Sequence, residues 1–203
     1  MSRLVLASGN PGKVREIRAL LDPLGIDVVP QSELGIAEAD EPHDTFLDNA
    51  LAKARHASRA AGLPALADDS GLCVDVLGGA PGVHSAYFAG REGTREERDE
   101  RNNRKLLASL GAHPTSRTAH YRCVLVVVRR ADDPAPLVAE GVWHGEIARA
   151  PLGRNGFGYD PYFYVPALGR TAAELEAVHK NRLSHRAQAL ARLAALLEDA
   201  DLA

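Results

Sequence analysis

The sequence has little cysteine, few aromatic residues, no long apolar run and no excess of positive charge. Only Cys73 and Cys123 are present among 203 residues. Two cysteines cannot build the disulfide framework of a small secreted domain. Both sit in apolar, strand-like runs and read as small buried hydrophobes rather than nucleophiles or metal ligands. The count suits a reducing compartment, and a cytoplasmic protein is expected. No stretch approaches the ~18 apolar residues of a membrane span, so no membrane partner is expected. The apolar run at residues 3–7 is too short for a signal-peptide core with its cleavage site. Lys and Arg number 24 against 27 Asp and Glu, a formal charge of −3. A basic stripe is missing, and with it the expectation of a nucleic-acid partner.

What is present is globular in composition: 45% hydrophobic and 25% charged residues. A chain of this length buries roughly 70% of its unfolded surface and needs no metal or disulfide to fold. It fits one domain, residues 1–203. Residues 3–7 predict a strand, residues 8–12 a turn, and Val14, Ile17, Leu20, Leu21 and Leu24 a helix from about Lys13, ended by Gly25. With a strand at 26–29 this is a βαβ unit. A helix is expected over 45–61. Strands at 65–68 and 72–77 flank a turn at Asp69-Ser70-Gly71. A helix follows over 94–110, then an antiparallel hairpin from the runs at 118–130 and 137–148. Residues 151–161 form a Gly-rich loop. Two short helices close the chain, one from the capping-box spacing Thr171-Ala-Ala-Glu174 and one from Ser184 to about Glu198. The class is α/β, a mixed sheet with helices on both faces and a cleft between two lobes.

Five motifs carry chemistry. Ser8-Gly9-Asn10-Pro11-Gly12-Lys13 joins a strand to a helix, where backbone N–H groups, the helix dipole and a lysine can meet a phosphate. It is not a Walker A loop, whose glycines have four residues between them and whose Lys precedes Ser or Thr. Ala67-Asp68-Asp69-Ser70-Gly71 ends an apolar strand with two carboxylates. Alternation sends them to opposite faces, so one serves a given cleft and the other caps or pairs locally. Glu38, Asp40, Glu41 and Asp44 offer hard oxygens in a loop, most of them solvated. In Asn155-Gly156-Phe157-Gly158-Tyr159-Asp160-Pro161, aromatics between glycines can stack on a base; Tyr159 can equally join the core. The fifth is Lys180-Asn181 followed by Ser184-His185-Arg186: Ser184 can cap the last helix, and His185 and Arg186 then sit in its first turn, against its dipole, as a ligand site would require.

The ordered set S-G-N-P-G-K, T-F-x-x-N-A-x-x-K-A (residues 45–54), A-D-D-S-G-L, G-A-P-G-V-H-S-A, G-F-G-Y-D-P and K-N-x-x-S-H-R-A closely resembles the inosine/xanthosine triphosphate pyrophosphatase family. The resemblance spans residues 5–189. It implies an elongated mixed β-sheet flanked by helices, two lobes with a central substrate cleft, and a homodimer. It implies hydrolysis of a purine nucleoside triphosphate (dITP, ITP or XTP) to monophosphate and pyrophosphate, with Mg²⁺. Ser8, Gly9, Asn10, Pro11, Gly12 and Lys13 would hold the triphosphate. Asp69 would be catalytic, Ser70 would contact substrate, and Glu41 and Asp69 would bind the metal. Phe157, Gly158, Tyr159, Asp160, Lys180, His185 and Arg186 would form the nucleoside side. Val178 and His179 stand where the family often has acidic residues, and Asp40 where Glu is common. A pyrophosphatase for modified pyrimidines and a nucleotide sensor without catalysis are the competing readings. The donors of Lys180, His185 and Arg186 favour an oxo-purine over the first. The presence of Asp69 beside Glu41 argues against the second.

Overall fold

Alternation organises the first strand. In β1 (Arg3–Ala7), Leu4 and Leu6 join one apolar cluster while Val5 and Ala7 join another, because successive strand side chains point to opposite faces. The structure, a computed structural model, describes residues 3–111 and 116–198. The single domain expected over 1–203 also contains residues 1–2, 112–115 and 199–203, which lie outside the described residues.

After β1 come α1 (Pro11–Leu21), β2 (Asp27–Pro30), α2 (Phe46–Ala61), β3 (Ala65–Val74), α3 (Arg95–Gly111), β4 (Thr118–Val128), β5 (Leu137–Ile147), β6 (Phe163–Val165), β7 (Arg170–Thr171), α4 (Ala177–Leu183) and α5 (His185–Glu198). The strands form one sheet in the order β2-β1-β3-β4-β5-β6-β7. β1 pairs parallel with β2 and β3, while β6 pairs antiparallel with β5 and β7. The sheet is therefore mixed and flanked by helices, the predicted class.

The chain divides into two compact units. The first comprises the described residues of Met1–Asp69, Cys123–Gly141 and His185–Ala203. Here Leu4, Leu6, Leu66, Cys123, Leu125 and Val127 pack with Ile17 and Leu21 of α1 and Leu190 and Leu193 of α5. Val5, Ala7, Ala65, Ala67, Val124, Val126 and Val128 pack with Ala50, Ala54 and Ala57 of α2. Both strand faces are covered, which is why these strands read as unbroken apolar runs. Each fully buried Leu or Ile contributes about 1.5–3 kcal/mol. The second unit comprises Ser70–Arg122 and Val142–Ser184, again where described. Its core holds Leu72, Leu106, Leu110, Tyr121, Trp143 and Phe163, with the Phe163 ring 4.5 Å from Tyr121 and 5.2 Å from Trp143. No described helix is long and apolar enough to cross a membrane.

Three local expectations are corrected. β3 is one ten-residue strand, not two strands around a turn at Asp69. It lies between β1 and β4, and pairing to neighbours overrides the local turn preference of Asp-Ser-Gly. Thr171 does not begin an α-helix: it ends β7 and closes a capping box over a single 3₁₀ turn, Ala172–Glu174. Gly25, at φ 72°, ends a 3₁₀ turn (Asp22–Leu24) rather than α1 itself.

Candidate active site

The strand period separates Asp68 from Asp69. Asp68 follows Leu66 onto the α1/α5 side, and Asp69 follows Ala67 onto the α2 side. Each carboxylate then meets its own lysine.

Asp69 accepts a hydrogen bond from Lys53 Nζ through Oδ1 at 2.8 Å, and the same Nζ donates to Glu41 Oε1 at 2.6 Å. The main-chain oxygen of Asp68 accepts a third bond from it at 3.0 Å. An ammonium has three donors, so Lys53 is fully used. Burial opposes its charge, but Asp69 and Glu41 outweigh that and hold its pKa above the ordinary lysine value. Burial pushes the Asp69 carboxyl up, against the pull of Lys53 and Lys13. Asp69 Oδ2 is buried and has no hydrogen-bond partner among the described residues. Such an oxygen costs ~1–3 kcal/mol unless something fills it. No group of three or more His, Cys, Asp or Glu able to hold a metal occurs among the described residues. Mg²⁺ typically takes only one or two protein carboxylates. A pair anchored on one lysine, with an unfilled buried oxygen on one member, fits that hard cation.

Asp68 is fully enclosed. Its Oδ1 pairs with Lys13 Nζ at 2.6 Å and its Oδ2 with Arg186 Nε at 2.7 Å. Arg186 reaches Glu16 as well. The Cys123 thiol donates to Asp68 Oδ2 at 3.3 Å. Burial opposes the Asp68 charge, but Arg186 and Lys13 outweigh it and hold the carboxyl well below its ordinary value. Asp68 therefore neither caps nor pairs locally, as alternation alone suggested; its partners are 55 and 118 residues away. Arg186, which the resemblance groups with the nucleoside side, pairs with Asp68.

The loop before α1 is also corrected in detail. Asn10 N-caps the helix, its Oδ1 accepting from Gly12 N at 2.9 Å and Lys13 N at 3.2 Å. Ser8 Oγ accepts from Asn10 N at 3.3 Å. Those N–H groups serve the cap, the preferred role of Asn at this position, and do not form an open cradle. Pro11 takes the first helical position, where no N–H is needed. Ser8, Gly9 and Pro11 line an open hollow of ≈ 290 Å³ with Arg15 and Arg18 of α1.

In the second unit, Asp160 is the hub. Its Oδ2 accepts from Lys180 Nζ at 2.6 Å and from Phe157 N at 2.9 Å, and its Oδ1 from Tyr121 OH at 3.3 Å. Lys180 Nζ also lies 5.0 Å from the Phe157 ring centroid. Gly156 is required: its φ is +75°, and a Cβ there would run into Asp160 Oδ2. Tyr159 joins the core and donates to Ser85 O at 2.9 Å. Ser70 is half-buried on β3, and His185 is buried at the start of α5.

The main residue not anticipated individually is Lys53. A lysine in a helix is usually solvated. The available signal was its position on the α2 face that also carries Ala50, Ala54 and Ala57, where a charge requires a buried partner.

The comparisons agree with this architecture. The chain is 64% identical to the "dITP/XTP pyrophosphatase" of Ralstonia nicotianae over 193 residues, 95% of each chain. It is 57% identical to the protein of that name from Nitrosomonas europaea, over 98% of this chain and 96% of the relative. The solved HAM1 protein of Coxiella burnetii superposes with a TM-score of 0.90 at 48% identity, covering 98% of this chain and all of that one (100%). The sequence profile of the Ham1 family matches residues 4–196, and the chain belongs to that family.

Proposed function

We propose that this protein hydrolyses non-standard purine nucleoside triphosphates (dITP, ITP, XTP and dXTP) to the monophosphate and pyrophosphate, cleansing the nucleotide pool. It does so as one domain with a cleft between two lobes, as a cytoplasmic homodimer dependent on Mg²⁺. The names of the relatives support the reaction class. The observation that carries the chemistry is the Glu41–Lys53–Asp69 group, with its unfilled Asp69 oxygen.

Cleavage lies between the α- and β-phosphates, and water supplies the oxygen. Lys53 fixes Asp69 by Oδ1, leaving Oδ2 to orient the attacking water and take its proton. Glu41 and Asp69 would hold Mg²⁺, which when bound supplies positive charge against the phosphate oxygens. Lys13 gives two of its donors to Asp68, one to a carboxylate oxygen and a long one, 3.4 Å, to the main chain. The third remains for a phosphate oxygen, and Asp68 aims it. Ser8, Gly9, Asn10, Pro11 and Gly12 shape the same wall, and Ser70, next to Asp69 on β3, contacts substrate. Phe157, Gly158, Tyr159, Asp160 and Lys180 serve the nucleoside, with His185 and Arg186 at the start of α5. Lys180 would read the 6-oxo group, against which adenine sets donor against donor.

The test is pyrophosphate release from ITP, XTP, GTP and ATP with and without Mg²⁺. ITP and XTP should turn over strongly with Mg²⁺, GTP less, and ATP roughly 10⁴-fold less efficiently. Equal kcat/KM for ITP and ATP would remove the proposed specificity. Orthophosphate as the released product would remove the reaction.

A further inference from the structure

Helix α3 grips the loop that carries Phe157. Gly158 N donates to Asp99 Oδ2 at 3.0 Å, and Asn103 Nδ2 donates to Gly158 O at 3.0 Å. Both polar main-chain groups of Gly158 are thus held by side chains one helical turn apart. Asn103 is tied into the helix as well, donating to Asp99 O at 2.9 Å, and it is 8% exposed. On the next turn toward the N-terminus, the Arg95 guanidinium lies 4.8 Å from the Phe157 ring centroid. Its Nε is 3.9 Å from Asp99 Oδ2. From the other end of the loop, Asp160 Oδ2 holds Phe157 N at 2.9 Å.

Gly158 has φ +63° and open space where a Cβ would stand. Left-handed backbone flanked by another positive-φ glycine, Gly156, is free to pivot unless its polar groups are fixed. The Asp99 and Asn103 bonds remove that freedom at the residue next to Phe157. Neither residue belongs to the motifs that mark the nucleoside side, and both aim a polar side chain at this loop, Asp99 half-buried and Asn103 buried.

We propose that Asp99 and Asn103 are positioning residues for base recognition: they clamp the Gly158 peptide and so set the pose of Phe157 for stacking. This rests on Phe157 serving the base, as proposed above. A preformed stacking face lowers the ordering cost of binding. Loss of the clamp should weaken nucleoside binding while leaving the Asp69 chemistry in place.

The experiment measures kcat and KM separately for ITP, GTP and ATP in Asp99→Ala, Asp99→Asn, Asn103→Ala and Phe157→Ala, with thermal melting of each. Glu100→Ala, on the exposed side of α3, is the control and should match wild type. Asp99→Ala and Asn103→Ala should each raise KM for ITP roughly tenfold, the value of one lost hydrogen bond. Their kcat should stay within about twofold of wild type. Asp99→Asn keeps an acceptor for Gly158 N and should recover most of the KM. If both alanine variants keep wild-type KM while Phe157→Ala raises it, the clamp is wrong and the base-stacking reading stands. If Phe157→Ala leaves KM unchanged for all three purines, the stacking reading fails and the clamp falls with it. A fall in kcat and melting temperature without the KM shift assigns the pair a structural role and overturns the proposal. Should Asp99→Ala not fold, Asn103→Ser decides by the same split.

Discussion

Lys53 and Asp69 divide their work by donor count. Lys53 has three donors and three protein acceptors, so nothing remains for substrate. Lys53→Met should therefore lower kcat for ITP with little change in KM; a KM effect without a kcat effect would mean that Lys53 touches the nucleotide. Asp69→Asn keeps shape and an acceptor for Lys53 but loses charge and basicity. Pyrophosphate release should fall by about 10²-fold or more, and near-normal turnover would remove Asp69 from the chemistry. An acidic pair in a strand-like run and an acidic loop are legible locally, but it is the family resemblance that singles out Asp69 and Glu41 among those carboxylates. Their common lysine falls in the T-F-x-x-N-A-x-x-K-A motif at residues 45–54, but nothing in that motif tells its partners, which lie 12 and 16 residues away. Arg186 was legible as an unusual cation in a first helical turn. Its partners, Asp68 and Glu16, were not, because they are distant in sequence and nothing local marks them.

At the scale of elements, the long strands and helices follow from periodicity, while the short ones do not. β4 announces itself by the Cys123–Val128 apolar run, and α2, α3 and α5 by spacing and caps. β6 and β7 have three and two residues, too few for an alternation to register, and only their pairing with β5 and each other defines them. The sequence of β3 predicts a break at Asp69 because Asp-Ser-Gly favours turns wherever neighbouring strands do not hold it. The connection from β4 to β5 offers a test of element stability. Asp133, 2% exposed, accepts from Arg129 N and Ala135 N, both at 2.9 Å, and from Arg129 Nε at 3.0 Å. Burial opposes its charge, but these bonds win and lower its pKa to about 2. The unfolded value is about 3.9. A depressed carboxyl stabilises fully above the unfolded value, and that stability is lost as pH falls through the folded one. The melting-temperature gap between wild type and Asp133→Ala should thus be constant above about pH 5 and shrink from pH 4 toward 2. A gap independent of pH would show that the turn does not use the charge.

At the scale of the whole molecule, Arg186 ties α5 to β3 and α1 with its guanidinium fully enclosed. Arg186→Ala removes the guanidinium from a fully buried Asp68, and breaking such a pair typically costs about 3–5 kcal/mol. Urea unfolding should show a loss of that size; a change below ~1 kcal/mol would mean that water enters and replaces the guanidinium. The mass in solution is the second global test. A homodimer requires twice the 21.7 kDa of one chain at micromolar concentration, and a monomeric mass there would refute it.

Cys123 is 0% exposed, its thiol donates to the Asp68 carboxylate, and burial followed by that negative charge pushes its pKa well up. Only a thiolate reacts quickly with disulfide reagents, so in the closed protein this sulfur is chemically silent. It becomes reactive when the surroundings of Asp68, Lys13 and Arg186 open. The labelling rate of Cys123 by a small aromatic disulfide, in Cys73→Ala to leave one thiol, is therefore an intrinsic clock of local opening around Asp68 and Lys13. A non-hydrolysable purine triphosphate that engages Lys13 should slow the clock in proportion to its occupancy, reporting ligand binding without turnover and through a thiol the chain already carries. A labelling rate indifferent to saturating nucleotide would uncouple the Asp68 cluster from the substrate site.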